Sequence, residues 1–167
     1  MAKSTKYATP ICITLSIITV IGIVVGLFAR NPLIIAGLLL PAVIYEVYRT
    51  EGESTILSSW LILGAIVAEL VLVIFKINFD LARFLGTSSQ YIAGYYVPLG
   101  DIKVIFPTLM GVLSVILFLR TAGIYTKWLS VLIFLGAISI VYTIDPSLFQ
   151  QLIKLVVQQG MNRIGNY

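Results

Sequence analysis

Five long apolar stretches, separated by short polar breaks, dominate the chain. The apolar residues run continuously within each stretch and do not alternate with polar ones, which predicts helices and not barrel strands. The stretches fall at about residues 10–29, 33–48, 55–77, 104–119 and 128–143. Each approaches or reaches the roughly 20 residues a helix needs to cross a bilayer core. The fold class expected is therefore an all-α integral membrane protein. It is a single membrane domain over residues 1–167, a bundle of about five transmembrane helices. Lys3 and Lys6 before the first stretch resemble the positive flank of a signal peptide. The stretch is too long for a signal core and no small-x-small cleavage site precedes a polar mature domain, so it reads as the first spanning helix.

The breaks carry their own signals. In Ala29-Arg30-Asn31-Pro32, Asn31 suits an N-cap and Pro32 a first helical position, so the first two helices should form a tight hairpin. Pro41 is expected to interrupt the second helix. Thr50 to Ser54 is a polar turn, Gly123 marks another, and Asp145-Pro146 ends the fifth stretch. Residues 78–103 mix Asp80, Arg83, Asp101 and Lys103 with a tyrosine cluster. This interfacial segment is expected to be either a helix with a partner-facing surface or a connector lying along the membrane surface. Residues 147–159 form an expected C-terminal amphipathic helix, with Leu148, Phe149, Leu152, Ile153, Val156 and Val157 on one face.

Composition strengthens this reading. Charged residues make up 11% and hydrophobic ones 59%, where a soluble domain carries about 25% charged residues. The net charge of +4 comes from eleven Lys and Arg scattered singly. Without a basic patch, nucleic acid is excluded as a partner. Cys12 is the one cysteine, so no internal disulfide forms. Histidine is absent, which removes the usual haem ligand, metal ligand and general base. No cofactor, catalytic residue or metal ligand is therefore expected, and the chain reads as a non-enzyme. Lys3 and Lys6 outweigh Arg30 around the first helix, which favours a cytoplasmic N-terminus.

A few residues stand out against the apolar background. Glu69 lies inside the third stretch, about 12 Å from its predicted end at 1.5 Å per residue. An intramembrane carboxyl is a candidate ion, proton or polar-ligand site; the structural alternative is a glutamate hydrogen-bonded to Ser16, Thr108, Ser114 or Ser139. Glu46 and Arg49 are three apart, so they can pair at a solvated helix end. With Glu51 and Glu53, beside Tyr45 and Tyr48, they form an acidic rim that could serve as a docking surface or a cation site. Gly22 with Gly26, and Gly64 with Ala68, are small-residue pairs suited to close helix packing, within the bundle or with another subunit. Tyr91, Tyr95, Tyr96, Gln150, Gln151 and Lys154 are candidate docking residues on one platform beyond the helices.

Residues 40–55, Leu40-Pro41-Ala42-Val43-Ile44-Tyr45-Glu46-Val47-Tyr48-Arg49-Thr50-Glu51-Gly52-Glu53-Ser54-Thr55, resemble uncharacterised small polytopic membrane proteins found in cyanobacteria. The resemblance covers about a tenth of the chain and carries no functional motif. It implies a bacterial inner, plasma or thylakoid membrane. The function expected is a non-catalytic subunit or accessory factor of a larger membrane protein complex, its partners being lipids and other subunits or copies of itself. The alternative is a small oligomeric transporter or channel with Glu69 in the pathway.

Overall fold

The computed structural model describes residues 7–50, 52–77, 89–92, 95–98, 102–147 and 149–150. They form α1 (Ala8–Ala29), α2 (Pro32–Arg49), α3 (Glu53–Ile74), β1 (Ser89–Ile92), β2 (Tyr95–Pro98), α4 (Ile102–Arg120) and α5 (Ile124–Ile144). All five helices are long and apolar enough to cross a membrane.

Local chemistry sets where the helices stop. Asn31 is extended, and its side chain accepts a hydrogen bond from the Leu33 N–H at 3.0 Å, which caps α2. α1 ends in a Schellman motif. Asn31 N–H donates to Gly26 O at 3.0 Å and Arg30 N–H to Leu27 O at 3.3 Å, with Arg30 left-handed at φ 49°. α3 ends in the same way. Ile77 N–H donates to Leu72 O and Lys76 N–H to Val73 O, with Lys76 at φ 51°. Glycine is the usual residue there, and a left-handed side chain costs about 1–2 kcal/mol. A cation at a helix C-terminus offsets part of that, by about 0.3–1 kcal/mol.

Several boundaries differ from the apolar pattern. α5 begins at Ile124, four residues before the apolar run, because Gly123 is extended and its carbonyl accepts from Lys127 N–H at 3.0 Å. Helical hydrogen bonding is indifferent to side-chain polarity, so a helix can continue into its polar flank. Pro41 does not interrupt α2, which is continuous from Pro32 to Arg49. The proline removes one hydrogen bond to the Gly37 carbonyl four residues earlier, and the helix continues on both sides of that gap. Of the two readings of residues 78–103, the helical one does not hold over the described residues. Residues 89–98 contain an antiparallel strand pair in which Tyr91 is opposite Tyr96 and Ile92 opposite Tyr95. Tyrosine, isoleucine and valine favour the pleated strand, and this preference outweighs helical spacing in so short a segment.

Each helix packs on the next, and α5 also packs against α1 and α2. The Thr9 and Tyr125 hydroxyls are 2.9 Å apart, and Trp128 Nε1–H donates to Ser16 Oγ at 2.9 Å, so α1 and α5 begin at the same end. Arg49 lies over the Tyr125 ring, 5.0 Å from its centre, which brings the end of α2 there too. The chain thus rises and falls in alternation, with α2 and α5 central. Ile35, Leu39, Ile62, Ile66, Met110, Ile133 and Ile140 fill the core. A Cβ on Gly136 would sit 2.6 Å from Leu39 Cδ2, so α2 and α5 approach closely at that level. At the other end, Asp145 Oδ1 accepts from Ser147 N–H at 2.9 Å, and Tyr142 meets Phe149 edge-on at 5.4 Å. The rest of the expected 147–159 helix lies outside the described residues.

Candidate functional site

α2 turns one stripe inward: Ile35, Leu39, Ala42, Val43 and Glu46. The steps of three and four residues hold one helix face toward the core. Glu46 therefore occupies a core position although it lies one turn from the helix end, and it is 0% exposed. Its Oε1 accepts from the Ser59 hydroxyl on α3 at 2.9 Å and from the Thr50 hydroxyl one turn later. The Ser59 and Thr50 hydroxyl oxygens are themselves 3.1 Å apart. Both residues are buried, and both hydroxyls also approach backbone carbonyls of their own segments. Thr50 Oγ1 is 3.0 Å from Glu46 O, and Ser59 Oγ is 3.0 Å from Thr55 O. Glu46 Oε2 has no hydrogen-bond partner among the described residues.

The expected Glu46–Arg49 ion pair is absent, and Glu46 is not on a solvated rim. Arg49 sits at the edge of the inward stripe and turns to the Tyr125 ring, while Glu46 turns to Thr50 and Ser59. Tyr45 and Tyr48 stack beside them with centres 6.1 Å apart. Glu51 and the side chain of Glu53 lie outside the described residues. The inward period of α2 already carried the signal for Glu46. Its partners were not legible, because Ser59 is thirteen residues away and on another helix.

Glu69 on α3 is fully buried. It stands five residues before the helix end at Ile74, about 7.5 Å, closer than the apolar run suggested. The four hydroxyls considered as its partners each donate within their own helix: Ser16 to Cys12 O, Thr108 to Val104 O, Ser114 to Gly111 O and Ser139 to Leu135 O, all at 2.7 Å. Short polar side chains in apolar helices satisfy themselves on the preceding turn. Ser59 and Glu69 are ten residues apart, about 15 Å along α3. Ile62, Ala65 and Ile66 of α3, with Leu39, Ala42 and Val43 of α2, are all buried in that interval.

The two small-residue pairs behave differently. A Cβ on Gly22 would sit 2.6 Å from Leu38 Cβ, and one on Gly26 would collide with Ile35, so this pair seats α2 on α1. Nothing lies within 4 Å of a Cβ on Gly64, which faces outward, and Ala68 is half-buried. Gly64 and Ala68 therefore do not form the close contact within the bundle that their spacing allowed. Tyr91, Tyr95 and Tyr96 belong to the strand pair, and Gln150 is helical and exposed. Gln151 and Lys154 lie outside the described residues. Among the described residues no three His, Cys, Asp or Glu side chains come together. No protein-family model, curated protein or solved structure matches this chain.

Proposed function

We propose that this chain is an integral membrane subunit or accessory factor of a larger membrane protein complex, acting by binding and not by catalysis. The supporting observation is the contrast between its glycines. Gly22, Gly26 and Gly136 are each pressed against a side chain of a neighbouring helix, whereas Gly64 in the middle of α3, like Gly37 near the start of α2, is open. A glycine inside a helix costs about 1 kcal/mol relative to alanine. Among the described residues nothing packs against Gly64 to return that cost. A partner helix seated on Gly64 and Ala68 would return it through close backbone packing, the main source of helix association in lipid. The bacterial inner or thylakoid membrane, with the N-terminus cytoplasmic, is the setting that accompanies this reading.

The transporter or channel reading requires a polar route past Glu69. The apolar side chains filling the α2–α3 interface between the Glu46 and Glu69 levels argue against it. Purification in mild detergent with native mass spectrometry tests the proposal. A stable assembly with other membrane subunits that is lost in Gly64→Leu, while the variant chain stays helical, is the expected result. A monomer, or an assembly indifferent to Gly64→Leu, overturns it.

A further inference from the structure

The Glu46 cluster contains more oxygen–oxygen contacts than hydrogens to fill them. Thr50 Oγ1 is within hydrogen-bond distance of Glu46 O, Glu46 Oε1 and Ser59 Oγ, and Ser59 Oγ also reaches Glu46 Oε1 and Thr55 O. That is five contacts, and the two hydroxyls bring one hydrogen each. When each hydroxyl donates to the carbonyl of its own segment, as short hydroxyl side chains in helices do, three lone-pair-bearing oxygens are left facing one another. Glu46 and Ser59 are 0% exposed and Thr50 is 4% exposed. Glu46 Oε2 is buried without a hydrogen bond. A fully buried carboxylate beside two acceptor oxygens is a costly arrangement unless positive charge is supplied.

We infer that Glu46, Thr50 and Ser59 form a binding site for one small hard cation, a proton or an alkali ion. A proton on the carboxyl turns Glu46 into a donor to a hydroxyl oxygen, and both hydroxyls then donate to backbone carbonyls. A sodium or lithium ion does the same by accepting lone pairs from all three side chains. Oxygen donors of this type select hard cations. Among the described residues, the other titratable groups at this end of the helices packed on α2 and of their neighbours are Tyr7 just before α1, Cys12 of α1, Tyr125 and Lys127 of α5, and Arg120 of α4, with Tyr45, Tyr48 and Arg49 on α2 itself. Arg49 is over Tyr125 and Lys127 is over Phe118, 5.7 Å from its ring centre, so neither takes the cation's place. Glu46 is three residues from the end of α2, about 4.5 Å, and exposed Gly52 lies beyond Thr50, so the entry path is short.

The inference stands whether or not the chain has partner subunits. Full-length protein in mild detergent is tested by infrared spectroscopy and by equilibrium dialysis with sodium, lithium and choline chlorides. A neutral-carboxyl band present in the native protein and missing in Glu46→Gln identifies a proton. Binding of one sodium or lithium per chain, lost in Glu46→Gln, identifies an alkali ion. Ser59→Ala keeps the carboxyl and should weaken alkali binding about tenfold, or shift the band, through loss of one ligand. It also serves as the test if Glu46→Gln does not fold. An ionised Glu46 with no bound cation, or a Ser59→Ala variant identical to the native protein in both measurements, overturns the inference.

Discussion

The α1–α2 hairpin and α3 carry the same two ingredients, a small-residue pair and a buried glutamate, and use the small-residue pair in opposite ways. In the hairpin, Gly22 and Gly26 are filled by Leu38 and Ile35, and Glu46 is held by Thr50 and Ser59. In α3, Gly64 is open, and Glu69 is fully buried about 15 Å along the helix from the Ser59 hydroxyl that meets Glu46. A motif's spacing therefore specifies a surface, while the neighbouring helix specifies its use. The hairpin is a finished interface, and the outer face of α3 is not.

The largest effect that would sharpen this contrast is expected at Gly26. Gly26→Leu should destabilise the bundle by about 3 kcal/mol or more through overpacking against Ile35. Loss of helical signal at a lower SDS mole fraction would show it. Gly64→Leu should leave that transition in place, and equal destabilisation by the two variants would break the comparison.

Glu46→Ala comes next, at about 2–4 kcal/mol, because it opens a cavity and removes the carboxyl that the two buried hydroxyls contact. Glu46→Gln should cost about 1 kcal/mol, since the amide oxygen still accepts from Ser59. A Glu46→Ala variant as stable as the native protein in the same titration would show that the cluster is not an anchor between α2 and α3.

Glu69→Gln should leave the unfolding transition within about 0.5 kcal/mol, because the amide preserves shape and hydrogen-bonding capacity. The proposed function adds that complex association persists in this variant. Normal expression with abolished activity would instead mark Glu69 as a working site. The smallest effect, opposite in sign, is expected for Gly64→Ala in isolated protein: a gain of about 0.5–1 kcal/mol from helix propensity, since the added methyl meets nothing. Destabilisation there would mean that the outer face of α3 is not open.

The five helices were legible in the sequence because each depends mainly on its own run of apolar residues, and backbone hydrogen bonding within one segment needs no other. The Asn31-Pro32 start of α2 was legible for the same reason. The strand pair was not, since residues 78–103 mix two weak patterns and the pairing of Tyr91 with Tyr96 is a choice between them.

Glu46 is the sharper case. The spacing of Ile35, Leu39, Ala42 and Glu46 determined which face of α2 it shares, but not that this face lies between α1, α3 and α5. Sequence alone determined that the chain makes long apolar helices with one carboxyl, Glu69, well inside α3 and another, Glu46, near the end of α2. Only tertiary structure decided that Ser59 reaches Glu46, that Arg49 turns to Tyr125, and that Gly26 is filled while Gly64 is open. Periodicity is a property of one helix. Burial, partnership and the use of a small residue belong to pairs of helices, and their meeting is set by packing across separations of ten to more than a hundred residues.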